Sequence, residues 1–373
     1  MNIIYLNDIF NPKKNSFTFL RFLLASLVVF SHSYPIGGFG SEAMLGSIQE
    51  SYGGFAVCNF FVLSGFLITR SYSTTNSIWK FLLNRILRIF PGFFTCLLVT
   101  ILIFAPTIYL VENNTLNGYF NIGTDNPIEY LKANFFLEVK QYGIANLLLN
   151  NPYPKTFNGS IWTLIYEFKC YIFVGFLGVM GIIQNHKKVC LYLFLFLWFI
   201  SIFETGMSGF SGRIFPYFSD VNMVRLPMYF LAGATYFLFQ ESIVVKKSFF
   251  AFAVVLTIFS IKKNFYLLIA PVTLPYILFY LAFKLPFTKF DKYGDFSYGL
   301  YIYAFPIQQM LSFFGLHTRG FLSYFTLSMA ISIILSILSF YLVEKPFLQL
   351  KEINYKNFLK PLKFFVNNLT KNK

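Results

Sequence analysis

Long apolar runs separated by short polar segments dominate this chain. A run of about 20 apolar residues is long enough to cross the hydrocarbon core of a bilayer as a helix. The pattern therefore predicts an all-α, polytopic membrane helix bundle of about ten transmembrane helices. The predicted spans are roughly 17–36, 53–70, 91–111, 161–183, 189–203, 224–240, 248–261, 265–283, 296–315 and 321–343.

The segments between the spans are mostly short. The longest covers residues 112–159, and its Asn-Pro and Asn-Gly steps predict irregular structure broken by turns. A connection of this length often covers a functional site. We expect two parts in the chain, a transmembrane domain over residues 1–350 and a basic tail over residues 351–373. The tail lysines, interleaved with phenylalanines, fit either an interfacial helix on anionic lipid or a solvated tail.

Composition excludes a soluble protein and indicates the orientation. The 373 residues are 56% hydrophobic and only 12% charged, with 52 Phe and a formal charge of +15. With a cytoplasmic N-terminus, the inside loops hold 20 of the 30 Lys and Arg residues and the outside loops hold 7. The positive-inside rule then predicts that both termini are cytoplasmic, and it explains the basic charge without a nucleic-acid partner. The four cysteines show no paired spacing, so we expect structural thiols and no metal.

Arg21 and His32 lie inside the first predicted span, where ionisable residues are rarely kept without a function. Eleven positions turn a helix by about 1100°, close to three full turns, and advance it by about 16 Å. Both side chains therefore project from one face at different depths. Histidine ordinarily titrates near neutral pH, which suits a general base. The alternatives are an arginine that snorkels to the lipid headgroups and a histidine that bonds a neighbouring helix.

Arg85 and Arg88 precede the third predicted span, which we expect to begin at Pro91. Residues three apart are neighbours on a helix, so the two guanidinium groups can form a two-pronged phosphate site. The competing interpretation is ordinary positive-inside anchoring.

Glu167 follows Ser160, the expected cap of the fourth span, by seven residues. It should lie about 10 Å into the bilayer, near the depth expected for His32, and a carboxylate there needs a partner. His32 or a substrate is the better candidate, and Arg225 is an alternative. A histidine made more basic by a carboxylate can abstract a proton from a hydroxyl, so His32 and Glu167 are the predicted catalytic pair.

Two further polar stretches have structural explanations. Ser64 and Gly65 stand where close helix packing needs small residues, and we favour packing over catalysis for Ser64. Capping of the ninth span explains Asp295 and Ser297.

These motifs together resemble the bacterial membrane-bound acyltransferase 3 family, in the family's order along nearly the whole chain. They comprise Arg21 with His32, the Phe-Phe-Val-Leu-Ser-Gly-Phe-Leu-Ile run at 60–68, Arg85 with Arg88, the stretch from Ser160 to Glu167, Ser-Tyr-Gly-Leu-Tyr from Ser297, and Glu-Lys-Pro-Phe at 344–347. The resemblance implies ten membrane helices and transfer of an acyl group, most often acetyl from acetyl-coenzyme A, to a carbohydrate hydroxyl. It also implies that His32 is catalytic and that Arg21, Arg85 and Arg88 hold the acyl-coenzyme A.

The chain departs from the family pattern at one position. Many relatives have an Asp about two residues before the Phe-Phe pair, where this chain has Cys58. If that Asp orients the histidine, its role passes here to Glu167, Glu42 or Glu50. Residues 351–373 are also too few for the soluble esterase-like domain of some relatives, which indicates the stand-alone form.

The leading hypothesis is an integral-membrane O-acyltransferase in a bacterial inner membrane. Its partners would be acyl-coenzyme A, a surface polysaccharide or lipid-linked precursor, and membrane lipids. The alternative is a proton-coupled transporter or flippase for a carbohydrate, because intramembrane His, Glu and Arg suit that function equally well. A purely structural subunit would leave the three charged motifs unexplained.

Overall fold

The computed structural model describes residues 3–46, 50–75, 77–206, 209, 212–213 and 219–352. Regular structure in these ranges is helical, and their β-structure is limited to two isolated bridges, Tyr5 with Val244 and Met44 with Ser51. The predicted all-α class is therefore confirmed. Most of the predicted tail, 353–373, lies outside the described residues, so the division at residue 350 stays a prediction.

A long helix overlaps each predicted span. The helices are α1 (Phe17–Ile36), α2 (Tyr52–Ser73), α3 (Ile78–Val99), α4 (Leu164–Val179), α5 (Lys188–Gly206), α6 (Asn222–Leu238), α7 (Lys247–Lys262), α8 (Tyr266–Lys284), α9 (Ser297–Phe313) and α10 (Phe321–Ser339). Shorter α-helices lie at Leu6–Ile9, Ala105–Asn113, Pro127–Asn134, Ile182–Asn185 and Lys345–Gln349. One-turn 3-10 segments precede α4 and α9, at Ile161–Thr163 and Phe290–Tyr293.

Six helical stretches among the described residues are long and apolar enough to cross a membrane: Phe17–Ile36, Tyr52–Ser73, Ile78–Asn113, Ile161–Val179, Tyr266–Lys284 and Phe321–Gln349. Helices α6, α7 and α9 have 17, 16 and 17 residues, somewhat less than the about 20 residues of a full crossing. The number of crossings and the side on which the termini lie stay predictions.

One predicted boundary is wrong. The third long helix begins at Ile78, where the Ser77 side chain accepts a hydrogen bond from the Lys80 backbone, and not at Pro91. Pro91 lies inside the helix because neighbouring helices can satisfy backbone groups that a proline frees. Arg85 and Arg88 are consequently held on the rigid helix α3, one turn apart.

Two π-helical segments interrupt the long helices. Thr100–Phe104 joins α3 to Ala105–Asn113, and Phe340–Glu344 joins α10 to Lys345–Gln349. A proline, Pro106 or Pro346, follows each segment within two residues. Because proline has no N–H to donate, the widened turn accommodates the missing hydrogen bond. The second segment ends on the buried Glu344, which contributes to the site.

Helix α9 lies at the centre of the bundle. Nearly all of its residues are buried, and it packs against α1 and α10. Its Gln308 donates to the Val29 backbone oxygen at 2.9 Å and to Ser33 Oγ at 2.8 Å. Since a buried amide costs free energy unless it is hydrogen-bonded, these bonds fix α9 against the polar face of α1.

Two glycines allow helices α2 and α6 to approach each other closely. A Cβ built on Gly65 would lie 1.8 Å from the Phe230 backbone oxygen, and one on Gly233 would lie 1.9 Å from the Val62 oxygen. Each helix therefore places its glycine against the backbone of the other, where a side chain would not fit. This geometry confirms the packing interpretation of Gly65.

We expect Gly65→Ala to lower the free energy of unfolding by about 1–3 kcal/mol, because the added methyl must push two backbones apart. Thermal unfolding of the detergent-purified protein measures the effect. Gly123→Ala is the control, since a Cβ there meets nothing within 4 Å. Equal melting temperatures for the two variants would contradict the packing argument.

Candidate active site

Four charged side chains form a cluster at the end of the bundle where α1 begins, called here the Arg21 end. Asp295 Oδ2 lies 2.6 Å from Arg21 Nη1 and 2.8 Å from Arg88 Nη2. Arg88 Nη1 lies 3.3 Å from Glu344 Oε2. One carboxylate thus bridges α1 and α3, and a second joins α3 to the π-helical segment that follows α10.

Local structure holds the Asp295 carboxylate in place. Asp295 Oδ1 accepts hydrogen bonds from the hydroxyl of Ser297 at 2.5 Å and from its backbone N–H at 3.2 Å. Burial alone would raise the pKa of Asp295, but Arg21 and Arg88 outweigh burial and lower it. Asp295 therefore bonds the first N–H of α9 from the residue before the cap position, Phe296, and it also has an ion-pairing role that the sequence analysis missed.

Arg85 differs from the other two arginines because no carboxylate pairs with it among the described residues. Its guanidinium lies over the rings of Phe81 and Tyr171, and Nη2 makes only a long bond, 3.5 Å, to Ser71 Oγ. Its Nε is buried and has no hydrogen-bond partner in the described structure. Arg85 thus retains donors for an anion.

Lys351 adds a further cation beside this cluster. Burial and the neighbouring charges of Arg85 and Arg88 lower the pKa of its ammonium group to about 8. Cations crowded enough to disfavour one another's charge make a strongly positive local potential.

A narrow cavity of about 50 Å³ extends into the bundle from the Arg21 end. Its lining comes from α1, α2, the start of α4, and α9: Arg21, Val57, Phe60, Phe61, Ser64, Thr163, Leu164, Glu167, Ser297, Tyr298 and Tyr301. At roughly 10–15 Å³ for each water, this volume holds a few water molecules. Arg21 and Glu167, both predicted site residues, therefore share one cavity.

Glu167 is not paired with His32. Its Oε1 accepts hydrogen bonds from Ser64 Oγ at 2.7 Å and from the Tyr171 hydroxyl at 2.5 Å. The predicted contact fails because His32 faces Ser160, and seven helical residues place Glu167 about 10 Å farther into the bundle. Ser64, interpreted as a packing residue, supplies a bond to this carboxylate.

His32 lies beyond the inner end of the cavity, with a polar group at each ring nitrogen. Ser160 Oγ is 3.4 Å from Nδ1, and Glu42 Oε1 is 3.6 Å from Nε2. Ser31 Oγ donates to Glu42 Oε2 at 3.0 Å, and the Phe305 ring packs edge-on against the imidazole. Of the three carboxylates considered for the histidine, Glu42 is the one beside it.

The backbone around Ser160 is held by Tyr301 and Asn158. The Tyr301 hydroxyl donates to the Ser160 carbonyl oxygen at 2.6 Å and contacts Thr163 Oγ1 at 2.6 Å. Asn158 Oδ1 accepts from the Ser160 N–H at 3.1 Å. Ser160 occupies the cap position before Ile161–Thr163, but its hydroxyl makes no capping bond, contrary to expectation.

Cys58 belongs to a separate polar group. Arg225 Nη2 donates to Cys58 Sγ at 3.3 Å and pairs closely with Glu50. The pKa of Glu50 is raised because burial outweighs the opposing effect of Arg225. Arg225 is therefore the partner of Glu50 and not of Glu167, and position 58 faces an arginine in this chain.

The structure thus joins some predicted residues and separates others. Arg21 and Arg88 meet through Asp295, Arg21 and Glu167 share the cavity, and His32 stands apart with Ser160 and Glu42. Asp295, Glu344 and Tyr301 were not predicted as site residues. Asp295 and Glu344 could have been found, since both border spans on the side predicted for the arginines. The described residues contain no group of His, Cys, Asp and Glu that could hold a metal.

The bundle carries ionisable residues on its interior faces, and its cavity lies between a cationic end and a histidine. These features define a multi-pass membrane protein with a buried reaction or transport site. Residues 14–341 match the family model of the acyltransferase 3 domain, described as an acyltransferase domain, and the chain belongs to this family. It is therefore an acyltransferase, and the transporter alternative is set aside.

Two curated relatives are informative. An O-acetyl transferase of Shigella phage Sf6 is 29% identical over 346 residues, covering 90% of this chain and 96% of the relative. Nodulation protein 10 of Rhizobium leguminosarum bv. viciae is 35% identical over 95 residues, 24% of each chain. No solved structure matches the chain significantly.

We expect Asp295→Asn to lower the free energy of unfolding by ~3 kcal/mol, because two partly buried arginines lose their shared carboxylate. The lowered pKa means that the ionised carboxylate stabilises the fold above its unfolded pKa, about 3.9, and that this stabilisation is lost only as the pH falls through the folded pKa. Acidification to about pH 5 should therefore leave the difference from wild type in place. Thermal unfolding in detergent at several pH values measures it.

Asp291→Asn is the matched control for this variant. Asp291 lies four residues earlier on the 3-10 segment and is exposed. A loss of stability as large as that of Asp295→Asn would show that the ion pairs are not its cause.

Proposed function

We propose that this protein is an O-acetyltransferase of a bacterial inner membrane that takes an acetyl group from acetyl-coenzyme A and passes it to a hydroxyl of a surface polysaccharide or its lipid-linked precursor. The observation that carries the proposal is that the two ends of the site carry different chemical groups. Arginines stand at one end of a cavity, and a histidine with a carboxylate stands beyond the other. Ten crossings with both termini in the cytoplasm are part of the proposal, and they place the Arg21 end on the cytoplasmic side.

The Arg21 end suits the donor. Coenzyme A carries several phosphate charges, and guanidinium groups bind phosphate through paired, charge-assisted hydrogen bonds. Arg85 has unused donors, whereas the donors of Arg21 and Arg88 are partly occupied by Asp295 and Glu344. Arg85 is therefore the first contact for phosphate, and the other two arginines contribute mainly a fixed positive field.

The cavity suits the acyl arm. It leads from Arg21 to Thr163 and Tyr301, and its walls are largely aromatic and aliphatic. A pantetheine arm has many more atoms than the few waters that a cavity of about 50 Å³ holds, so aromatic side chains such as Phe60 and Phe61 must move to admit it. Glu167 then lies on the donor side, where its bonds to Ser64 and Tyr171 hold α2 and α4 together at the cavity wall.

The far end suits the acceptor. His32 is mostly buried, with 16% of its side chain exposed, and its partner Glu42 is 36% exposed on the loop between α1 and α2. A carboxylate beside one ring nitrogen favours a histidine that accepts a proton at the other. His32 is thus the base that receives the proton of the acceptor hydroxyl.

We expect His32→Ala to lower the rate of acetyl transfer by at least about 100-fold, since general base catalysis contributes that much. Release of coenzyme A thiol in the presence of acceptor measures the rate, and mass analysis of surface glycans identifies the product. His186→Ala, which removes an exposed histidine, is the control. A His32→Ala protein that is well expressed and fully active would refute this role.

We expect Arg85→Ala to raise the KM for acetyl-coenzyme A about tenfold or more while changing kcat less, because a charged hydrogen bond to phosphate is lost. Lys80→Ala removes an exposed cation from the same helix and should leave KM unchanged. An unchanged KM in Arg85→Ala would place the phosphates elsewhere.

A further inference from the structure

We propose that Ser160 receives the acetyl group as a covalent ester before the group passes to the acceptor. The inference deepens the proposed function and rests on it. Transfer would then occur in two stages at one histidine, and Ser160 would be the residue that carries the acetyl group from the donor side to the acceptor side.

The first support is the order of groups around His32. Ser160 Oγ lies 3.4 Å from one ring nitrogen, and Glu42 Oε1 lies 3.6 Å from the other. A hydroxyl, an imidazole and a carboxylate that contact one another in this order form the arrangement by which a base activates a serine nucleophile. Such contacts are commonly longer without substrate and shorten when the substrate is bound.

The second support is what the Ser160 hydroxyl does not do. A serine at the cap position of a helix ordinarily accepts a hydrogen bond from a backbone N–H of the first turn. Ser160 holds the cap position before Ile161–Thr163, yet its side chain makes no such bond. The residue is only 2% exposed, and its hydroxyl is directed at His32.

The third support is the electrostatic setting of the helix start. Helix α4 is entered through the 3-10 turn Ile161–Thr163, and the first two N–H groups of this turn, those of Ile161 and Trp162, have no partner within their own helix. They lie next to Ser160, where the oxyanion of an attacked carbonyl would form, and backbone N–H groups at a helix start stabilise such a charge. The Tyr301 hydroxyl holds the Ser160 carbonyl at 2.6 Å, which fixes the turn.

The fourth support is continuity with the donor path. Tyr301 and Thr163 line the inner end of the cavity that begins at Arg21, and the same two side chains contact each other beside Ser160. A thioester that enters by this cavity therefore arrives next to the Ser160 turn. Neither Ser160 nor His32 lines the cavity itself; Ser160 is joined to it through its carbonyl bond to Tyr301.

The chemistry balances without any further reactant. Ser160 Oγ attacks the thioester carbonyl carbon while its proton moves to His32; the carbon–sulfur bond breaks, and the coenzyme A sulfur leaves with that proton. The acceptor hydroxyl then gives its proton to His32 and attacks the ester carbon. The bond to Ser160 Oγ breaks, and this oxygen takes the proton back.

The competing account is direct transfer, in which His32 activates the acceptor and Ser160 only orients the imidazole. The two accounts predict different results when the protein is given acetyl-coenzyme A without acceptor. A covalent route releases up to one equivalent of coenzyme A thiol per protein chain and leaves the chain acetylated, whereas direct transfer does neither.

The experiment incubates the purified full-length protein in detergent with radiolabelled acetyl-coenzyme A and no acceptor. We expect a burst of thiol, acid-stable label on the protein, and mass spectrometry that locates the acetyl group on Ser160. Ser160→Ala and His32→Ala should not become labelled. Ser328→Ala removes a buried hydroxyl that bonds only its own helix, and it should be labelled like the wild type.

Ser160→Cys keeps a nucleophile of similar size and should be labelled as a thioester, which neutral hydroxylamine cleaves faster than an ester. Wild-type protein that turns over with acceptor but neither bursts nor becomes labelled without it would overturn the inference and leave the proposed function standing. Label on any residue other than position 160 would overturn it too. Wild-type protein that releases no thiol even with acceptor would instead overturn the proposed function.

Discussion

The placement of charge inside an apolar bundle is the constraint on which the rest of this structure depends. Arg21 and Arg88 are costly in the membrane unless opposite charges stand beside them. Asp295 meets both at 2.6 Å and 2.8 Å, and Glu344 meets Arg88 at 3.3 Å. These contacts join α1, α3, the start of α9 and the end of α10. The ion pairs therefore fix the order of helices around the cavity as well as its charge.

These ion pairs give the three arginines different roles. Because two carboxylates occupy Arg21 and Arg88, the remaining capacity for phosphate lies with Arg85, whose guanidinium rests on aromatic rings and retains free donors. Under the proposed function this division has a purpose, because the proposed donor, acetyl-coenzyme A, is an anion.

Several features could be predicted from the sequence because they depend on local pattern. The helical class follows from apolar runs of membrane length, and the close approach at Gly65 follows from small residues in such a run. Arg21 and His32 could be placed on one helix at different depths because helical rise is constant. The extension of α3 back to Ile78 was missed, since Pro91 read as a helix start although surrounding helices tolerate it within the helix.

The sequence by itself determined which residues carry charge, on which helix each lies, and the family to which the chain belongs. Only the tertiary structure decided their partners. Glu167 bonds Ser64 and Tyr171, Glu50 bonds Arg225, and Glu42 reaches His32 from a loop. The physical reason is that depth along a helix follows from its own rise, whereas contact between helices depends on their relative shifts and rotations. These shifts and rotations are set by packing between helices, such as the reciprocal contact of Gly65 and Gly233. The sequence of a single helix does not specify such packing.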